Sequence, residues 1–135
     1  MQPGSKESNA SSPSSAVFAI SQRDLDGGAT VLTVAGELDL SSAPSLKWSL
    51  TDLLDGGCRQ LVLDLSLVTF IDSTALGVLV GVQMRLTAGT RLAIVCANAK
   101  VLEILELTGL VGTFELFSTL EQALGYARVD ARAAT

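Results

Sequence analysis

"LVLDLSLVTFIDSTALGVLV", residues 61–80, decides how the rest of the chain is read. It opens as a β-rich run within Arg59–Ser66 and ends as a long apolar helix, expected from about Ser73 to Ala88 with Gly89 as its stop. Between the two, Asp72, Ser73 and Thr74 break the most hydrophobic region of the chain. A helix start explains them. The first-turn N–H groups have no partner within the helix, and Asp, Ser and Thr oxygens supply one. Asp72 or Ser73 is therefore expected as the N-cap. A second role is compatible with the first: an exposed Ser73 hydroxyl at the positive end of a helix is placed to receive a phosphate.

Upstream, "AVFAISQ" (16–22) reads as a strand, "DLDGGAT" (24–30) as a two-glycine turn and "TVLTVAGEL" (30–38) as a second strand, together a hairpin. Residues 39–57 begin with small hydroxyl residues and Pro44. They continue with Leu46, Leu50, Leu53 and Leu54 at helical spacing and stop at Gly56 and Gly57. Downstream, "RLAIVCA" (91–97) is a strand and "NAKVLEILELTG" (98–109) a helix with Asn98 at its start and Gly109 at its end. "TFELF" (113–117) is a strand, and "STLEQALGYAR" (118–128) a helix with Ser118 and Glu121 as a capping box. The order β-β-α-β-α-β-α-β-α predicts an α/β fold, a mixed and mostly parallel sheet of about five strands with about four packed helices.

Residues 1–15 are polar and Ser-rich and read as a disordered tail, residues 16–128 as the folded domain and residues 129–135 as a C-terminal tail. With 135 residues, 48% of them apolar, the chain is long enough for one core. A net charge of −5 argues against direct nucleic-acid binding and against an anionic membrane. The longest uncharged apolar stretch, roughly Thr74 to Met84, falls short of the ~20 residues of a membrane span. With no secretory leader read at the start, the expectation is a cytoplasmic protein.

The sequence contains no histidine, so His-dependent nucleophile activation and histidine metal sites are absent. Cys58 and Cys96 form no CxxC pair. They read as small hydrophobes in a reducing compartment, with a disulfide left open. No phosphate-binding glycine loop occurs. The expectation is a protein with no catalytic residues, no metal and no cofactor. A nucleotide-binding or hydrolysing enzyme is the weakest of three readings.

"GELDLSSAPSL", "LVLDLSLVTFIDSTALGVLV" and "ILELTGLVGTFELFSTLEQAL" resemble a STAS domain of the anti-sigma factor antagonist type, over roughly residues 15–128. The resemblance implies that Ser73 is phosphorylated by a partner that is both serine kinase and anti-sigma factor. It implies too that the unphosphorylated form binds this partner and frees a sigma factor. Asp39, Leu40, Ser41, Asp72, Ser73 and Thr74 are then the partner-binding residues. Where such proteins carry Ser or Gly and then Gly after the acceptor, Thr74 and Ala75 stand here. Thr74 adds a second hydroxyl beside Ser73. The alternative is a non-switching STAS scaffold or transporter-accessory subunit, in which Ser73 only caps.

Asp39 is expected at the same sheet edge as Ser73, because parallel strands place their C-terminal loops on one side. It is either a helix cap with Ser41 and Ser42 or a contact residue, or both. Asp64 is expected to have a structural hydrogen-bonding role. Gly77 and Gly81 are expected to let their helix pack closely on the sheet, and Trp48 to pack against the sheet edge. Leu102, Ile104, Leu105 and Leu107 are expected in the core.

Overall fold

The computed structural model describes residues 18–129. The tail expected over 1–15, and all but Val129 of 129–135, lie outside the described residues. Among the described residues the elements in chain order are β1 (Ala19–Asp24), β2 (Ala29–Leu38), α1 (Ala43–Asp55), β3 (Gln60–Ile71), α2 (Ser73–Met84), β4 (Arg91–Val95), α3 (Ala99–Leu107), β5 (Glu115–Phe117) and α4 (Leu120–Ala127), with a 3-10 turn at Val111–Thr113. The five strands lie side by side in the order β1-β2-β3-β4-β5. β1 runs antiparallel to β2, and every later pairing is parallel. This is the α/β architecture that the alternation of strand and helix patterns predicts.

The hairpin turns at Gly27 and Gly28, both at positive φ, where a Cβ would be strained. Between β2 and β3 the register slips twice, at Thr33/Ala35 and at Gly36/Glu37. Gly36 has φ +96°, so glycine makes the second bulge possible. These bulges carry a longer β3 than expected. The strand runs on through "SLVTFI" to Ile71 rather than ending at Ser66 before a loop. Its β-branched and aromatic residues suit an extended backbone, and Ala35–Leu38 of β2 pairs with Leu67–Ile71.

Two apolar layers hold the sheet. On one face α1, α2 and α3 cover Leu32, Val34, Leu61, Leu63, Leu65, Leu92 and Ile94. On the other face α4 alone covers Val31, Val62, Ala93 and Val95. Leu46 and Leu50 of α1 are fully buried, each contributing about 1.5–3 kcal/mol by leaving water. Central strands with both faces covered explain the continuous apolar runs "LVLDL" and "LAIVC".

Other boundaries also differ from expectation. α2 ends at Met84, capped at Arg85, and the chain turns through Thr87–Thr90, so Gly89 belongs to the turn rather than the helix stop. α4 is capped by Thr119, whose hydroxyl accepts from Gln122 N at 3.2 Å; the Ser118–Glu121 box does not form. Leu105 is buried and Leu102 and Ile104 are half-buried, but Leu107 lies in solvent at 80% exposure. Cys58 and Cys96 are both free thiols.

Candidate functional site

β2 and β3 end side by side at the C-terminal edge of the sheet, and each feeds a helix. The two connections are short and are tied to each other. Asp72 N donates to Leu38 O at 3.0 Å, and Leu40 N donates to Asp72 Oδ2 at 3.1 Å. The other oxygen of the same carboxylate, Oδ1, accepts from Ala75 N at 3.1 Å. Asp72 is thus the N-cap of α2, with extended backbone (φ −112°), and it also clamps the loop before α1. Its two oxygens are engaged on opposite sides, which fixes the end of β3, the start of α2 and the Asp39 turn as one unit.

Capping by Asp72 sets Ser73 at the first helical position and Thr74 at the second. Both are exposed, and neither hydroxyl makes a hydrogen bond among the described residues. A phosphate on Ser73 would meet the unpaired N–H groups of the first turn, where an anion is favoured by roughly 0.3–1 kcal/mol.

The Asp39 turn is built differently. Asp39 Oδ1 accepts from Ser41 N at 3.0 Å, from Ser42 N at 3.2 Å and from the Ser41 hydroxyl at 2.8 Å. The Ser41 hydroxyl bond, opposed by partial desolvation and supported by the Ser42 and Ser41 N–H groups, holds the Asp39 carboxyl below its ordinary 3.8. Ser42 is the N-cap of α1, yet its side chain makes no cap bond. It is buried and donates to Glu37 O at 2.7 Å while accepting from Asp39 N at 2.9 Å. Asp39 therefore organises the turn before the helix rather than capping it.

All six residues anticipated as a contact surface lie together at this edge: Asp39, Leu40, Ser41 and Asp72 on the two connections, Ser73 and Thr74 in the first turn of α2. Leu40 is 72% exposed, an apolar side chain held into solvent at the sheet edge. Two neighbours escaped the sequence reading. Leu67 and Phe70 lie on the last part of β3, beyond its pairing with β4, and are 60% and 44% exposed. Treating "SLVTFI" as a loop hid them. Read as a continued strand, its two large apolar residues that are not buried would have signalled a surface.

Gly77 and Gly81 do not face the sheet. A Cβ at either meets nothing within 4 Å. They floor an open groove of about 350 Å³ between α1 and α2, walled by Lys47, Thr51, Thr74 and Arg85. This groove continues the exposed surface of Ser73 and Thr74 down the helix. Trp48 stands beside the sheet edge, across an open trench from Phe18 and Ile20, but is covered there only in part and is 72% exposed. Asp64 has the structural role expected of it, accepting from Ser66 N at 3.0 Å and from the Ser66 hydroxyl. No helix among the described residues is long and apolar enough to cross a membrane.

A five-stranded mixed sheet with three helices on one face and one on the other is the arrangement of a STAS domain. The STAS domain family model matches residues 22–123, and the chain belongs to this family. Among its relatives is the anti-sigma-F factor antagonist RsfB of Mycobacterium tuberculosis, 33% identical over 97 residues, which are 72% of this chain and 80% of RsfB. The anti-sigma-B factor antagonist of Staphylococcus aureus is 35% identical over 78 residues, covering 57% of this chain and 72% of the relative. The crystal structure of an anti-sigma factor antagonist from Mycobacterium paratuberculosis superposes with a TM-score of 0.76 at 32% identity, covering 87% of this chain and 98% of that one.

Proposed function

We propose that this chain is an anti-sigma factor antagonist, a binding module rather than an enzyme. It binds a kinase-type anti-sigma factor through the C-terminal edge of its sheet and so frees a sigma factor. Phosphorylation of Ser73 by that partner ends the binding. One observation carries the reading: within this family, Ser73 stands exposed at the first position of α2 with its hydroxyl free, because Asp72 has taken the capping role. Leu40 and Phe70 give the edge apolar contact area, and the open face at Gly77 lets a partner backbone approach closely.

The test is incubation with candidate anti-sigma factors and ATP, followed by intact mass and native binding. One added phosphate on the wild type and none on Ser73→Ala, with binding retained in the variant, supports the proposal. Stable association with no phosphate transfer reduces it to a non-switching scaffold. Phosphate remaining on Thr74 of Ser73→Ala overturns the assignment of the acceptor.

A further inference from the structure

The groove between α1 and α2 has a charge pattern of its own. Lys47 and Arg85 are the charged side chains that line it, and both are cations in a chain of net charge −5. Both are exposed. No carboxylate lines the groove; Asp55 belongs to a smaller cavity next to it, which shares Thr51, Val82 and Arg85 with it. Val78 and Val82 give the groove apolar walls.

α1 and α2 follow parallel strands, start at the same sheet edge and run away from it together. Lys47, in the second turn of α1, therefore stands at the head of the groove with Thr74, and Arg85, the C-cap of α2, at its foot. From Thr74 to Arg85 the helix runs about 16 Å.

We propose that this groove seats an acidic helix of the anti-sigma factor, with one carboxylate against Lys47 at the head and a second against Arg85 at the foot. The inference rests on the partner reading above. Three observations carry it. The lining charges are all of one sign, and it is opposite to the sign of the chain as a whole, so the occupant they attract is an anion. The head of the groove is Thr74, next to Ser73, so the groove is continuous with the contact edge. A channel between two packed helices with apolar walls and charged ends takes a third helix, apolar side chains inward and charges outward. Two carboxylates two to three turns apart on that helix, about 11–16 Å, match the spacing of the cations. A small anion fits less well, because the groove is open along its length and a ligand site encloses most of its ligand. A phosphate on Ser73 would add about −1.5 to −2 charges at the head of the groove, where it draws Lys47 to itself and repels the acidic helix.

The experiment uses the full chain and the anti-sigma factor that it retains in the test above. Affinity is measured for wild type, Lys47→Glu and Arg85→Gln. Arg23→Glu on β1, exposed and outside the groove, controls for net charge. Each groove variant is expected to bind about tenfold more weakly, and the control within about twofold of wild type. Carbodiimide coupling, which joins an amine to a carboxylate in contact with it, is then applied to the wild-type complex. Lys47 is expected linked to an Asp or Glu of the anti-sigma factor. If wild type binds and the groove variants bind no more weakly than Arg23→Glu, the inference is overturned while the proposed function stands. The same holds if Lys47 couples to no carboxylate of the anti-sigma factor, or couples to a second copy of this chain. A small anion that copurifies with wild type and is lost from both groove variants also overturns it. A wild type that retains no anti-sigma factor overturns the inference and the proposed function together.

Discussion

The starts of α1 and α2 are made of the same materials and do opposite things with them. Each follows a parallel strand, each has an aspartate, and each has two adjacent hydroxyl residues: Asp39 with Ser41 and Ser42, Asp72 with Ser73 and Thr74. Before α1 the aspartate sits three residues ahead of the cap, and its carboxylate folds onto the serines. The Ser41 hydroxyl is consumed by Asp39 Oδ1, and the Ser42 hydroxyl is buried and consumed by Glu37 O. At α2 the aspartate is itself the cap, so the hydroxyls that follow it are left over. One start is closed and structural. The other presents two exposed hydroxyls beside an open glycine face. Shifting the aspartate relative to the first helical residue separates a brace from a candidate modification site.

The largest expected effect sharpens this contrast. Phosphorylation of Ser73 is expected to weaken anti-sigma factor binding by about 3 kcal/mol, roughly a hundredfold. It should hardly move the thermal midpoint of the free protein. The helix end favours the new charge by roughly 0.3–1 kcal/mol, while Asp72 and Asp39 oppose it by similar amounts in water. In a complex the effective dielectric falls toward ~20 and the repulsion grows about fourfold. Melting and affinity measured on the same phosphorylated sample check this. A melt that collapses along with affinity would show that the switch acts by unfolding the helix start.

Next is Asp72→Ala. The variant loses the cap bond to Ala75 N and the clamp on Leu40 N together. Caps are worth about 1 kcal/mol and a backbone hydrogen bond about another 1, so a loss of about 2 kcal/mol is expected in denaturant unfolding. Ser42→Ala, at the closed start, should cost about 1–2 kcal/mol, because Glu37 O and Asp39 N are left short of a partner in a part-buried place. Ser73→Ala should change stability by less than about 0.5 kcal/mol, as for other surface sites. Equal costs for Ser42→Ala and Ser73→Ala would break the distinction between the two starts.

Much of this was legible in the residues. Strand and helix patterns separated cleanly, and the Asp-Ser-Thr interruption at 72–74 located the edge where two connections meet. What stayed hidden was set by tertiary context. The continuation of β3 to Ile71 depends on bulges against β2, and no pattern within "SLVTFI" announces a register slip. The orientation of Gly77 and Gly81 was misread because α2 is apolar nearly all round, so spacing alone does not say which side meets the sheet. Trp48, expected against the sheet edge, is mostly exposed beside it, because Leu46 and Leu50 already fill the inner face of α1. The choice between Asp72 and Ser73 as cap needed backbone angles.

The glycines give a smaller test of the open face. Gly77→Ala and Gly81→Ala should each stabilise the free protein by about 0.5–1 kcal/mol, since the new methyl meets no atom and alanine is the better helix former. A larger residue at Gly77 should leave stability near wild type and weaken partner binding. If alanine there destabilises the chain, the helix packs more closely than its exposure shows, and α2 is less open than α1.

The smallest effect concerns Asp39. Its carboxyl is held below 3.8 in the fold, chiefly by the Ser41 hydroxyl, with backbone N–H groups of Ser42 and Ser41 assisting. A depressed folded value means that the unfolded chain takes up the proton first as pH falls. The contribution of the charge to stability is therefore complete above 3.8 and disappears as pH drops through the lower folded value. Asp39→Asn keeps an acceptor oxygen but removes the charge, so its deficit relative to wild type isolates the charge-assisted part of the turn. The side chain is partly open to solvent and the effect is screened, so a small deficit at neutral pH is expected, shrinking further in high salt. Unfolding midpoints of both proteins, followed from neutral pH to about pH 2, should converge below the ordinary carboxylate range. Curves that stay parallel would show that Asp39 holds the turn by shape alone. The closed start would then owe nothing to its charge, unlike the open one, where a phosphate's charge is the proposed signal.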